Sequence, residues 1–101
     1  MPKKPKRTPR SAKRPTIDAT LAERGSRYGA FKGHAEITQG LKRVMHAAPN
    51  WAELSDDQRE CLEMVAHKIG RVLNEGADAN YADNFVDIAG YAKLVADRLA
   101  V

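Results

Sequence analysis

Between residues 55 and 101 the apolar side chains recur every three or four positions in two runs joined by a short connection, a pattern that restricts the chain to a helical hairpin. The first run is Leu62, Val65, Ala66, Ile69, Val72 and Leu73; the second is Phe85, Ile88, Ala92, Val95 and Leu99. Ser55-Asp-Asp-Gln58 opens the first, with Ser55 as N-cap, Gln58 at the capping-box position and two acids in the first turn. The spacing predicts helices over about residues 55–74, stopped by Gly76, and about 83–100. So short a connection packs the two antiparallel.

Upstream, Ile37, Leu41, Val44 and Ala48 form one stripe of a helix over 34–48, ended by Pro49 and Asn50, with Trp51 and Leu54 closing the core from a short linker. Residues 16–24 predict a short first helix that Gly25 ends. The segment 25–33 holds three glycines around Tyr28 and Phe31 and is expected to be a structured loop anchored by both rings. Two readings of that loop are open: an interhelix packing element, or a substrate-contacting loop in which Tyr28 or Arg27 touches a base or phosphate. His34 and His46 read as surface histidines without partners. The expected fold is all-α, a single helical domain over 16–101 with three main helices and a short N-terminal one. A chain of 101 residues has a small core for a monomer, so a homo-oligomer is expected.

Charge divides the chain in two. Seven of the 17 Lys and Arg lie in residues 1–15, with no acid, leaving ten against all 13 Asp and Glu in the remainder, so the first segment is +7 and the rest −3. Residues 1–15 also hold four of the five prolines and almost nothing apolar, which predicts a disordered basic arm. Such an arm either makes weak, non-specific contact with nucleic acid through phosphates or is a passive solubilising tail; without interleaved aromatics, base stacking is not expected. No apolar run approaches the roughly 20 residues of a membrane span, and the basic start lacks a signal peptide's apolar segment. The one cysteine, Cys61, excludes an internal disulfide and fits a reducing compartment. Its neighbour Glu60 disfavours a thiolate, so Cys61 is read as structural or incidental. A cytoplasmic protein with no membrane contact is expected.

The hairpin carries two acidic clusters. At about 100° per residue, Glu60, Glu63, His67 and Asn74 share a stripe beside the apolar face of the first helix. Asp83, Asn84 and Asp87 begin the second, with Asp87 and Tyr91 along one flank. Carboxylates gathered on facing helices suit Mg²⁺, which takes hard oxygen ligands together with substrate phosphates. Glutamates three residues apart are equally common on solvated helix faces. Antiparallel packing puts Asp87 closer to Gly70 than to Glu60, with His67 in reach and Glu63 about a turn away.

Glu60-x-x-Glu63 followed by Asn84-x-x-Asp87 resembles the Glu-x-x-Glu … Glu-x-x-Asp pattern of the MazG-like all-α nucleotide pyrophosphohydrolases. The run from Asp83 to Ala92 is similar to the last helix of small phage-encoded relatives, Arg27-Tyr28-Gly29-Ala30-Phe31 to their Tyr-Gly-x-Phe loop, and Ala66 to Arg71 to the helix after it. The resemblance spans most of residues 23–99. It implies Mg²⁺-dependent hydrolysis of a nucleoside triphosphate to monophosphate and pyrophosphate by a helical oligomer. Glu60, Glu63, Asp83 and Asp87 are the metal candidates, Glu63 the catalytic one, and Tyr28, Lys68, Arg71 and Tyr91 the substrate contacts. The chain departs from the pattern at Asn84, where the family has Glu, at the absent second Glu of the first motif, and at Ala30, where the loop has an acid.

Other chemistries lack their motifs: there is no phosphate-loop or dinucleotide fingerprint, no Cys/His set with zinc spacing and no nucleophile elbow. The competing expectation is a non-catalytic helical accessory protein that binds nucleic acid or a protein through its basic arm.

Overall fold

The computed structural model describes residues 16–100; the expected basic arm, residues 1–15, lies outside them. The described residues form four α-helices and no strand: α1 Ile17–Tyr28, α2 Phe31–Ala47, α3 Asp56–Leu73 and α4 Ala82–Ala100, with a 3₁₀ turn at Pro49–Glu53 between α2 and α3. The all-α expectation therefore holds. No helix among them is long and apolar enough to cross a membrane.

Helix α3 is central, packed by α2 and α4, while α1 lies against both α2 and α3. Its start follows the sequence, since Gln58 Oε1 accepts from Ser55 N at 2.8 Å in a capping box. Arg98, near the end of α4, reaches back to this point: its Nε donates to Asp57 Oδ2 at 2.6 Å and its Nη2 to Ser55 Oγ at 2.9 Å. That contact spans the ends of the antiparallel hairpin and holds the Asp57 carboxyl down at about 2, chiefly through the Arg98 hydrogen bond and then the one from Ser55.

Several expected boundaries differ. Gly25 does not end the first helix, which continues to Tyr28, and of the expected 25–33 loop only Gly29 and Ala30 are non-helical. Gly29, at φ 81°, is the residue that breaks the run, because a left-handed backbone has no side-chain penalty only for glycine. Phe31 is no anchor; it starts α2 and is 78% exposed. Helix α3 ends at Asn74 as C-cap, and Gly76, at φ 82°, serves the turn that follows. Along α2 the sealed face is His34 and Thr38, rotated from the predicted stripe, so that Val44 is exposed. On α4 the predicted core residues Phe85 and Leu99 are more than half exposed. Among the described residues Ala66 is the only apolar side chain sealed from solvent, alongside His34, Thr38, Lys68, Asn74 and Asn84. The fully sealed positions are thus mostly polar, while Ile37, Leu41, Val65, Ile69, Val72, Ile88 and Val95 are half-buried between the helices.

Candidate functional site

Asn74 organises one end of the molecule. Its Nδ2 donates to the carbonyls of Tyr28 at 2.9 Å and Ala30 at 2.8 Å, so the C-cap of α3 clasps the α1–α2 junction. Gly29 and Gly33 make room for it, since a Cβ on either would collide with the Asn74 side chain. Beside this clasp, Arg27 Nη1 donates to Tyr81 Oη at 2.6 Å and Asp78 N to the Arg27 carbonyl at 2.7 Å, tying α1 to the α3–α4 connection.

Next to this joint lies a pocket of about 440 Å³ walled by α1, the start of α2 and α3. Arg24 and Gly25 come from α1, Tyr28 and Phe31 flank the junction, and His34, His67 and Arg71 complete the lining. Arg71 stacks on the Tyr28 ring, 4.1 Å from its centroid, which orders the guanidinium before any ligand arrives. Gly25 stands in mid-helix with open space where a Cβ would project, so the backbone there is bare to an occupant of the pocket.

The two histidines are a pair: His34 Nε2 lies 3.3 Å from His67 Nδ1, with Thr38 Oγ1 3.5 Å from the same His34 nitrogen. His34 Nδ1 is sealed against the Gly70 backbone without a well-formed hydrogen bond. Burial is the main reason both rings resist protonation, with Arg71 and Lys42 adding repulsion. His67, which also feels His34 and Lys68, is brought down to about 4. At neutral pH the pocket therefore holds two uncharged imidazoles, two guanidinium groups and no acid. An arrangement of that kind attracts anions and offers rings for stacking.

The predicted acidic site is dispersed. Glu63 turns to His46, whose Nε2 is 2.6 Å from Glu63 Oε2 and whose ring rests near Trp51. Asp87 pairs with the nearly buried Lys68 at 2.8 Å, Asp83 accepts from Tyr81 Oη at 2.8 Å, and Glu60 is exposed. Of the other residues predicted on the stripe of Glu60 and Glu63, His67 meets His34, further toward the start of α2 than the His46 that holds Glu63, and Asn74 is taken up by the α1–α2 junction. Among the described residues no three His, Cys, Asp or Glu side chains gather to hold a metal ion. The acids of one chain, each engaged elsewhere or apart, do not fit an Mg²⁺ site. Asn84, 1% exposed, is sealed with its Nδ2 unpartnered.

The predicted substrate residues fall into separate places. Tyr28 and Arg71 line the pocket; Lys68 is held by Asp87; Tyr91 lies in a shallow groove on α4. His34 and His46, read as unpartnered surface residues, each have a partner, and His34 is buried. The sequence reading missed Arg24, His34 and His67 as pocket residues, although the spacing of Arg24 and Tyr28 at i and i+4 carried the signal for the α1 wall. Compared with known proteins, the chain matches no family profile, no curated protein and no solved structure.

Proposed function

We propose that the chain is a nucleotide-binding helical protein, with its site in the pocket between α1, α2 and α3. The observation that carries this reading is the acid-free lining, in which Arg24 and Arg71 stand beside Tyr28 and Phe31. Phosphate takes paired, charge-assisted hydrogen bonds from guanidinium groups, and a base finds a stacking surface on the exposed Phe31 ring. The volume suits a mononucleotide-sized ligand. The MazG-like resemblance of residues 27–31 and 66–71 supports the same pocket, because both segments contribute to its walls.

In this reading the protein works as a homo-oligomer, and hydrolysis of a nucleoside triphosphate with Mg²⁺ is an activity to be sought in the assembly rather than in one chain. The net charge of +7 on residues 1–15 favours a second, separate contact, weak retention of nucleic acid by the arm.

Calorimetric titration with a panel of nucleoside mono- and triphosphates, with and without Mg²⁺, tests the pocket. Arg71→Ala and Arg24→Ala are each expected to weaken binding by at least about tenfold. Binding that neither substitution weakens, or no binding at all, removes the proposal. Pyrophosphate release measured in the same samples decides whether binding extends to hydrolysis. Retention on DNA at low salt, with and without residues 1–15, tests the arm.

A further inference from the structure

The hydrogens of the histidine pair follow from its burial. His34 is 4% exposed, and its Nδ1 is sealed against the backbone of Gly70, the one neighbour that favours the protonated ring. A backbone group with that effect is a carbonyl facing an N–H; a lone pair in the same place would meet the oxygen with no water between them. His34 therefore carries its hydrogen on Nδ1, even though the Gly70 contact falls short of a well-formed hydrogen bond.

The rest is a chain of donors and acceptors. With Nδ1 protonated, His34 Nε2 accepts, and His67 Nδ1, 3.3 Å away, is its donor. Burial first, then the positive charges of Arg71, Lys68 and Lys42, keep the His67 ring from taking a second hydrogen. A neutral imidazole has one N–H, so His67 keeps a lone pair on Nε2. That nitrogen has no partner among the described residues and is not sealed, and His67 lines the pocket.

Arg24 and Arg71 give hydrogen bonds and take none, so an acceptor beside them adds a separate demand. A phosphomonoester is largely dianionic at neutral pH and has no hydrogen to offer Nε2. A ligand that satisfies both the guanidinium groups and His67 must carry a neutral donor as well as its phosphate. Arg71 follows His67 by four residues, one turn along the same face of α3, which keeps that donor close to the phosphate. In a nucleotide the sugar hydroxyls lie nearer the phosphate than the amino group of the base. We propose that His67 Nε2 accepts a hydrogen bond from a ribose hydroxyl of the bound nucleotide and so sets sugar specificity. The inference rests on the nucleotide reading of this pocket.

Long-range proton–nitrogen correlation spectra of the histidine rings, recorded on the full chain without ligand at about pH 7.5, read the tautomers. The expected result is hydrogen on Nδ1 of both His34 and His67; hydrogen on His67 Nε2 overturns the proposal and leaves the nucleotide reading standing. Calorimetric titration then compares adenosine and cytidine monophosphates with their 2′-deoxy and 3′-deoxy forms and with the forms lacking the exocyclic amino group. Loss of one of the two hydroxyls is expected to weaken binding by at least about threefold, loss of the amino group is not, and His67→Phe binds the hydroxyl and deoxy forms alike. Equal affinity for all forms, discrimination by the amino group instead, or hydroxyl discrimination that survives in His67→Phe overturns the proposal. If His67→Phe does not fold, the tautomers and the analogue series on the wild-type chain decide it. A chain that binds no nucleotide at all removes this inference together with the reading beneath it.

Discussion

The ammonium of Lys68 lies 2.8 Å from the Asp87 carboxylate, and this ion pair joins the middle of α3 to the first turns of α4. The partners are unequal, with 10% of the Lys68 side chain exposed against 45% of Asp87. Asp87→Asn leaves a nearly buried ammonium without an anion and is expected to cost about 1–2 kcal/mol, discounted from a fully buried pair because Asp87 reaches water. Lys68→Met keeps the apolar stem and leaves behind only a carboxylate that water can solvate, so its cost is expected below about 1 kcal/mol. Urea titration of the two variants checks the asymmetry; equal losses would mean that burial of Lys68 does not govern the pair.

Asn74 acts as a donor to two carbonyls, and a carboxylate of the same shape cannot. Asn74→Asp sets negative charge against the Tyr28 and Ala30 oxygens and is expected to destabilise by about 2–3 kcal/mol, more than Asn74→Ala. Chemical denaturation gives the ranking, and amide exchange in α1 should rise in both.

At Gly70, packing and propensity oppose each other. A Cβ there would approach His34 Nδ1 to 2.9 Å and Thr38 Oγ1 closer still, so Gly70→Ala is expected to lose about 1–3 kcal/mol although alanine is the better helix former. Gly40→Ala, whose Cβ would find Arg43 at a comfortable 3.7 Å, is expected to gain about 0.5–1 kcal/mol. Opposite signs for two Gly→Ala changes, measured in one denaturation series, are the outcome to look for.

The histidine pair makes stability depend on pH. His67 titrates at about 4 in the folded chain against 6.5 when unperturbed, so between these values the unfolded chain binds more protons. Stability is therefore fully present above about pH 6.5 and falls as pH drops toward 4, with His34 shifted in the same direction and adding to the loss. Denaturation midpoints from pH 7.5 to pH 4 should trace this fall, and His67→Gln should flatten it.

Helical periodicity made the hairpin legible, because α3 and α4 each carry enough turns for the apolar repeat to stand above chance, and Ser55 with Gln58 marks a start that depends on local contacts alone. The junction of α1 and α2 was not legible in the same way. Gly25 looks like a helix stop, yet its freedom serves open space beside the pocket, and the actual break at Gly29 depends on Asn74, 45 residues away. The acidic residues do not gather within one chain for a related reason. Helical phase placed Glu63, His67 and Asn74 near one another around the axis, but Glu63 and His67 turn to different partners on α2, at His46 and His34. Phase says which side of a helix a residue leaves from; the neighbour that receives it depends on tertiary packing.

Helix α1 is fastened at one end. Asn74, Asp78 and Tyr81 all grip it at Arg27 to Ala30, whereas Ile17 and Leu21, toward its other end, are largely exposed. Of the pocket's lining, Leu21, Arg24 and Gly25 stand on this less fastened length of α1, whereas Phe31, His34, His67 and Arg71 stand on α2 and α3. The pocket thus lies across a seam between α1 and the α2–α3 pair, and a ligand touching both sides would add a fastening where the chain's own hydrogen bonds to α1 are gathered at the other end.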